Sequence, residues 1–303
     1  MNLENLAPIA LFVYNRPYHT KKTIEYLSKN VYAQNSDLFI FSDYSKSDSE
    51  TDKVNEVRNY CFNIKKFKSV KVILREKNLG LANNIVDGIS YILKRNEKII
   101  VLEDDLLTDK YFLKYMNEML DKFQDNKDVI SIHGYIYPLK KKFIKPSFLK
   151  GADCWGWATW KSEWNIYNDN ANFLLKEIRL KKKQKEFNFN NSYNYLKMLK
   201  KTVSNNNYSW AIKWYASAFI NNKLTLYPPY SLIHNIGNDG SGTNNLKNKM
   251  FHNKLKNIPI EIDQIEVREN HELRKEFENF FNSKKNIIKK IINKFVSYND
   301  FFY

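Results

Sequence analysis

A chain of 303 residues is long enough for one large domain or two unequal lobes around a substantial core. Its 43% hydrophobic and 15% aromatic residues exclude a disordered chain. Lys and Arg number 49 against 33 Asp and Glu, and the resulting +16 favours an anionic partner such as nucleic acid, acidic lipid or sugar phosphate, although a merely Lys-rich surface accounts for part of it. Cys61 and Cys154 lie far apart without metal-ligand spacing, which argues against a disulfide framework or a zinc site and fits a reducing compartment. The N-terminus shows no charged region followed by a long apolar run, and no segment reaches the roughly 18 to 20 apolar residues that span a bilayer. A cytoplasmic location is the expectation.

In chain order, the apolar run from Pro8 to Tyr14 closes on Asn15-Arg16-Pro17, as expected of a buried parallel strand and its exit loop. Helical spacing follows from His19 to Asn30, with Ile24 and Leu27 opposite Lys21, Lys22 and Glu25. Asp37 to Phe41 is a second strand ending in Ser42-Asp43-Tyr44-Ser45, and Glu50 to Phe62 a helix. Val70 to Leu74 is a third strand, leading through Asn78-Leu79-Gly80 into a helix from Leu81 to Lys94. Ile99 to Leu102 is a fourth, running directly into Glu103-Asp104-Asp105. Alternation of strands and helices with short loops predicts a right-handed βαβ sheet with its polar loops on one edge.

Beyond residue 110 the pattern predicts a helix to about Phe123, a strand at Val129 to Ile132, aromatic-rich loops, a basic connector from Lys140 to Lys145, and an exposed Lys-rich helix or hinge from Lys176 to Phe187. From Phe277 to Val296, apolar residues recur at helical spacing among Lys284, Lys285, Lys289, Lys290 and Lys294. Such a helix either packs on its own core or lies on an anionic membrane surface.

Three adjacent carboxylates at a strand's carboxyl end repel one another, and their hard oxygens suit Mg²⁺ or Mn²⁺ held together with substrate phosphates. Alone, they equally describe a solvated acidic turn. Four polar loops at successive strand ends are more specific, because ligands of open α/β sheets bind at that edge. Such a site has room for a base, a ribose and a diphosphate.

These loops resemble the GT-A class of nucleotide-sugar glycosyltransferases, in particular the family-2-like sugar transferases of bacterial surface polysaccharide synthesis. More distantly the chain is similar to the N-acetylglucosaminyltransferase I group with its Glu-Asp-Asp motif. The likeness continues through Gly151 to Trp164, through Ser209 to Tyr215 and through Tyr227 to Gly242, and covers about residues 7 to 245. It implies a single GT-A-like α/β domain with a mostly parallel central sheet flanked by helices and a C-terminal helical extension. Residues 1–110 would form the nucleotide-binding half, 111–250 the acceptor-binding half and 251–303 the extension with the basic amphipathic helix.

The resemblance implies that Asp105 coordinates the divalent metal at the diphosphate, with Glu103 and Asp104 near the ribose and donor sugar. Asp43 would accept hydrogen bonds from the base or ribose, with Asn15 and Arg16 beside the nucleotide. Asn78 and Gly80 belong to the third loop, where the glycine would permit close backbone approach. Trp155, Trp157, Trp160 and Trp164 either all pack in the core or lend one or two faces to a sugar. Trp155, Trp157, Trp210 and His234 are assigned to the acceptor or sugar pocket, and the glycine-rich loop Asn235 to Gly242 to closure over bound nucleotide. Inversion needs a base for the acceptor hydroxyl. The N-acetylglucosaminyltransferase group carries an acid between two tryptophans where this chain has Ala211-Ile212-Lys213, which leaves Asp153, Asp239 and Glu163, the first two ranked above Glu163.

The expected reaction moves one sugar from a nucleotide diphosphate sugar, a UDP-sugar first, to a hydroxyl of a growing lipopolysaccharide- or capsule-type glycan, with Mn²⁺ or Mg²⁺. The acceptor is a glycan or lipid-linked glycan, with peripheral contact at the inner face of the membrane and no nucleic-acid partner. A nucleotidyltransferase and a non-catalytic sugar-binding or scaffold protein of the same fold are the rivals. The first normally needs a Gly-rich basic loop after the first strand, which Asn15-Arg16-Pro17 is not.

Overall fold

The computed structural model describes residues 3–204, 209–240, 250–262 and 264–283. The N-terminal half alternates as expected: β1 (Ile9–Val13), α1 (Pro17–Leu27), β2 (Asp37–Ser42), α2 (Asp48–Phe62), β3 (Ser69–Leu74), α3 (Gly80–Leu93) and β4 (Lys98–Glu103). All five residues of β1 are buried. Ile9, Leu11 and Val13 face one apolar cluster and Ala10 and Phe12 another, the two-residue period of a strand covered on both sides. α1 starts earlier than the apolar spacing predicts because Pro17 supplies a preset φ where no backbone donor is needed. α2 likewise begins at Asp48, whose carboxylate with that of Glu50 favours the first turn of a helix.

The second half contains β5 (Leu106–Thr108), α4 (Phe112–Phe123), β6 (Val129–His133), β7 (Ser147–Lys150), β8 (Trp157–Trp160), α5 (Lys161–Trp164), α6 (Ala171–Leu180), α7 (Gln184–Phe187), α8 (Tyr195–Ser204), α9 (Trp210–Ile220), β9 (Leu224–Tyr227) and β10 (Ile233–Asn235). Where the sequence pattern suggests aromatic-rich loops after β6, the chain forms three further strands of the main sheet. Each is only four residues long and too short to establish an alternation of its own.

The eight-stranded sheet has the order β3-β2-β1-β4-β8-β6-β9-β7, and β5 pairs with β10 in a separate ribbon. β1, β2, β3 and β4 pair in parallel, whereas β8 runs antiparallel to β4 and β6, and β7 antiparallel to β9. β6 and β9 are parallel to each other, so they end on the same edge as the four N-terminal strands. Because β8 is reversed, Trp157 begins at that edge, opposite Val101, and Trp160 ends at the far edge, opposite Lys98. This is a single mixed, mostly parallel GT-A-like α/β domain.

The Lys-rich stretch from Lys176 to Phe187 is not one exposed helix. α6 stops at Leu180, Lys182 turns at φ 52°, and α7 follows, while Ile178 and Phe187 are buried. The lysines occupy the solvated side of an element that packs normally. Residues 271–283 are helical, and there Phe277, Phe280 and Phe281 are buried against Tyr137, Phe189 and Tyr193. Their apolar stripe therefore covers the protein's own core, contrary to a membrane-facing reading of these residues. The rest of the amphipathic stretch, 284–296, lies outside the described residues. Among the described residues no helix is long and apolar enough to cross a membrane.

Candidate donor and acceptor site

The loops that leave β1, β2, β3 and β4 are bound to one another at the carboxyl edge. Tyr14 and Asn15 both donate to the Glu50 carboxylate, at 2.6 and 2.8 Å. The Tyr14 hydroxyl in turn accepts the Lys46 N–H at 2.9 Å. Asp43 is buried and accepts the N–H groups of Tyr44, Leu79 and Gly80, each at 2.9 Å. The Asn78 amide closes the same junction by donating to the Tyr44 carbonyl at 2.6 Å. In this structure Asp43 and Asn78 thus fasten the second loop to the first turn of α3. Gly80 has φ 72° with nothing within 4 Å of where a Cβ would stand, so it answers a need for left-handed backbone rather than for space.

The acidic motif receives its cation from the first loop. Arg16 donates to Asp104 and, at 3.0 Å, to Asp105 Oδ2. Burial works against the guanidinium charge, yet the two carboxylates raise its pKa still further above the ordinary arginine value. Burial pushes Glu103 well up, helped by the charges of Asp105 and Asp104. Asp104 is also raised by burial, with Arg16 opposing that shift. Three carboxylates with one arginine leave an excess of negative charge at this strand end. Thr23 on α1 donates to the Asp104 carbonyl at 2.8 Å and fixes the motif's backbone.

The β10 loop arrives from more than a hundred residues away. Ile236 N–H donates to the Asp105 carbonyl at 2.9 Å, and a Cβ on Gly237 would stand 2.0 Å from Asp105 Oδ2. Only a glycine lets this backbone press on the carboxylate. Asp239 then meets buried His19, on the first turn of α1, at 3.1 Å. The glycine-rich loop therefore reaches the acidic motif through Ile236 and Gly237, while Ser241 and Gly242 lie outside the described residues. His234 is half-buried and edge-on to His252 at 4.9 Å, and burial and then His252 lower its pKa.

Asp153 approaches from the mixed half, in the loop before β8. It accepts the Cys154 N–H at 2.9 Å and lies 3.5 Å from the Tyr227 hydroxyl. Burial and then its charge raise the pKa values of Tyr135, Tyr195 and Tyr227, a ring of phenols around one carboxylate. The Cys154 thiol is pushed up by burial and then by Asp153, Glu103 and Asp105 together, so carboxylates from both halves act on one neighbouring group. Trp155 donates its N–H to His133 Nε2 at 3.0 Å and stands edge-on to Tyr135 at 4.8 Å, with its ring half-buried.

Three assignments made from sequence are corrected by this geometry. Trp157 is 0% and Trp210 4% exposed, and they stack at 5.7 Å in a core cluster with Trp164 and Trp214, so neither offers a face to a sugar. Glu163 follows Trp160 at the opposite edge of the sheet and pairs with Lys223 at 2.6 Å, far from the loops that gather around Asp105. His19 and Glu50 escaped notice in the sequence. His19 lies three residues after Arg16, one helical turn away, and that spacing was the available signal.

The donor set suits a divalent cation only in part by itself. Among the described residues no cluster of three or more His, Cys, Asp or Glu is arranged to hold a metal alone. Mg²⁺ and Mn²⁺ sites at phosphates, however, use one or two carboxylates with the phosphate oxygens completing the shell. An acid-rich strand end with Asp105 under a close-packed glycine fits that arrangement.

The chain matches the Glycosyl transferase family 2 profile over residues 9–178, more than half of its length, and belongs to that family. Its class is therefore that of the glycosyltransferases, on a GT-A-like fold. No curated protein sequence matches the chain. Among solved structures it is similar to the mannosyltransferase PcManGT from Pyrobaculum calidifontis in complex with GDP-Man and Mn²⁺, at 11% identity and TM-score 0.31 over 45% of this chain and 37% of that one. It is similar to S. aureus TarS at 16% identity and TM-score 0.38 over 54% of this chain and 30% of that one. A UDP-glucose pyrophosphorylase complexed with UDP-glucose matches at 14% identity and TM-score 0.39 over 75% of this chain and 91% of that one. The chain spans little more than a third of the mannosyltransferase and less than a third of TarS. At these scores the likenesses carry no argument about activity.

Proposed function

We propose that this chain transfers one sugar from a nucleotide diphosphate sugar, a UDP-sugar first, to a hydroxyl of a growing surface glycan, with inversion and with Mn²⁺ or Mg²⁺. The observation that carries the reading is the convergence on Asp105 of Arg16 from the first loop and Gly237 from the β10 loop. Residues 1–110 hold the nucleotide, 111–250 the acceptor, and 251–303 are the C-terminal extension. The acceptor is a lipopolysaccharide- or capsule-type glycan, reached in the cytoplasm or at the inner membrane face.

Asp105 would hold the metal, with Glu103 and Asp104 beside the donor. When bound, that cation neutralises charge developing on the departing diphosphate. Arg16 supplies a fixed positive charge at the same place. Asp153 takes the proton of the acceptor hydroxyl as its oxygen attacks the anomeric carbon, and the bond to the diphosphate oxygen breaks on the opposite face. The Cys154 N–H and the nearby Tyr227 hydroxyl position that carboxylate. Trp155 presents the half-buried aromatic face beside it. Asp239, paired to His19, is the alternative base.

Calorimetric titration with UDP and with GDP, each with and without Mn²⁺, tests the donor half on the wild type and on Asp105→Ala. One nucleotide binds with metal, and its affinity drops at least about tenfold in the variant. Failure of both nucleotides to bind at millimolar concentration overturns the reading.

A further inference from the structure

A concave, positively charged region lies outside the donor and acceptor reading. It is a cavity of about 460 Å³ between the chain leaving β6, residues 136–143, and the segments 229–231 and 253–258. That size falls within the range of small-ligand pockets, roughly 300 to 1,000 Å³. Its lining contains Lys141, Lys142, Lys254 and Lys256 and no carboxylate. Lys141 is neutralised from outside by Glu272. Lys142, Lys254 and Lys256 pair with no carboxylate among the described residues, and Lys256 stands over the Tyr230 ring with its nitrogen 4.0 Å from the centroid.

The walls are built rather than incidental. Asn253 donates to the Ile136 carbonyl at 2.7 Å and so ties one wall to the other. The Tyr230 hydroxyl donates to the Ile258 carbonyl at 2.9 Å, holding the ring beneath Lys256. Like charges gathered on low-dielectric concave walls repel one another and focus a positive potential that an anion relieves. Ammonium groups on flexible stems act as point charges toward phosphate.

The cavity also lies on the acceptor side. Tyr137 in its wall meets Phe251 at 6.1 Å, and Phe251 meets Trp155 at 5.7 Å, two residues from Asp153. We propose that this cavity is a phosphate subsite, in which Lys142, Lys254 and Lys256 hold the phosphate or diphosphate group of the acceptor. The word acceptor rests on the transferase reading above; the anion site itself does not. Two sources share this chemistry, a phosphorylated saccharide and a prenyl diphosphate carrier.

The test uses the full chain and inorganic pyrophosphate in metal-free buffer, where the metal-dependent donor site is silent. Pyrophosphate binds saturably, and its affinity falls about tenfold or more in K142E/K254E/K256E while nucleotide affinity with Mn²⁺ stays within about twofold. Should the triple variant fail to fold, K142E and K254E singly each weaken pyrophosphate about threefold, since all these side chains reach solvent. Glucose 1-phosphate and farnesyl diphosphate then separate the sources, the tighter of the two naming the class. Equal pyrophosphate binding by wild type and variants, or none by either, overturns the proposal. Pyrophosphate binding without nucleotide binding refutes the donor reading and leaves the anion site standing.

Discussion

The parallel half of the sheet and the mixed half serve the same edge by different routes. In the parallel half each of the first three strands is followed by its own helix, β2 and β3 each return beside their predecessor and β4 crosses back to the free side of β1, so the exits of all four share one edge by topology alone. In the mixed half β8 enters reversed between β4 and β6, and β9 pairs with β6 only after the helices α5 to α9 have intervened. Residues that meet at the edge there, Trp155 with His133 and Asp153 with Tyr227, are 22 and 74 positions apart. Sequence separation does not divide the halves, since Arg16 and Asp104 are themselves 88 positions apart; the first half sets its groups at the ends of a regular strand–helix repeat, and the second sets them by pairings that no repeat foretells.

The sharpest way to break this comparison is at Asp153, where the mixed half would contribute its chemistry. Asp153→Asn lowers kcat by about 10² to 10⁴, the usual worth of a general base, with metal-dependent nucleotide affinity unchanged. Initial rates of sugar transfer beside nucleotide calorimetry measure both. An unaffected kcat moves the base to Asp239. A smaller effect is expected where the halves touch. Gly237→Ala puts a methyl 2.0 Å from Asp105 Oδ2, so the loop retreats and Mn²⁺-dependent nucleotide affinity falls about tenfold, while the melting temperature changes little. Unchanged nucleotide affinity in this variant means the β10 loop is no part of the donor site. The smallest effect sharpens the contrast between edges. Glu163→Gln removes the ion pair with Lys223 at the far edge and costs about 1 to 3 kcal/mol of unfolding free energy in denaturant titration, while kcat stays within about twofold.

Much of the fold was legible because it is periodic. The continuous apolar runs of β1 and β4, each ending in polar loops, identify buried parallel strands without reference to any partner. In the mixed half β6 was legible as an apolar run, whereas Ser147–Lys150 and Trp157–Trp160 were not, because they gain their register only from the neighbours they meet. The tryptophans show the same limit. Composition says that Trp155, Trp157 and Trp210 are large and amphipathic, and only packing separates the half-buried Trp155 from the two that fill the core.

By itself the sequence determined which residues bring charge to the sheet edge, since a strand that ends in Glu103-Asp104-Asp105 delivers them wherever its partners lie. Tertiary structure decided what those charges meet. It set Arg16 against Asp104 and Asp105, pressed Gly237 onto Asp105, brought Asp239 to His19 and removed Glu163 to the far edge. The physical reason is range. Strand and helix periods are written in a few neighbouring side chains, whereas a hydrogen bond or an ion pair is specified by atoms a few ångströms apart that the chain joins only after folding.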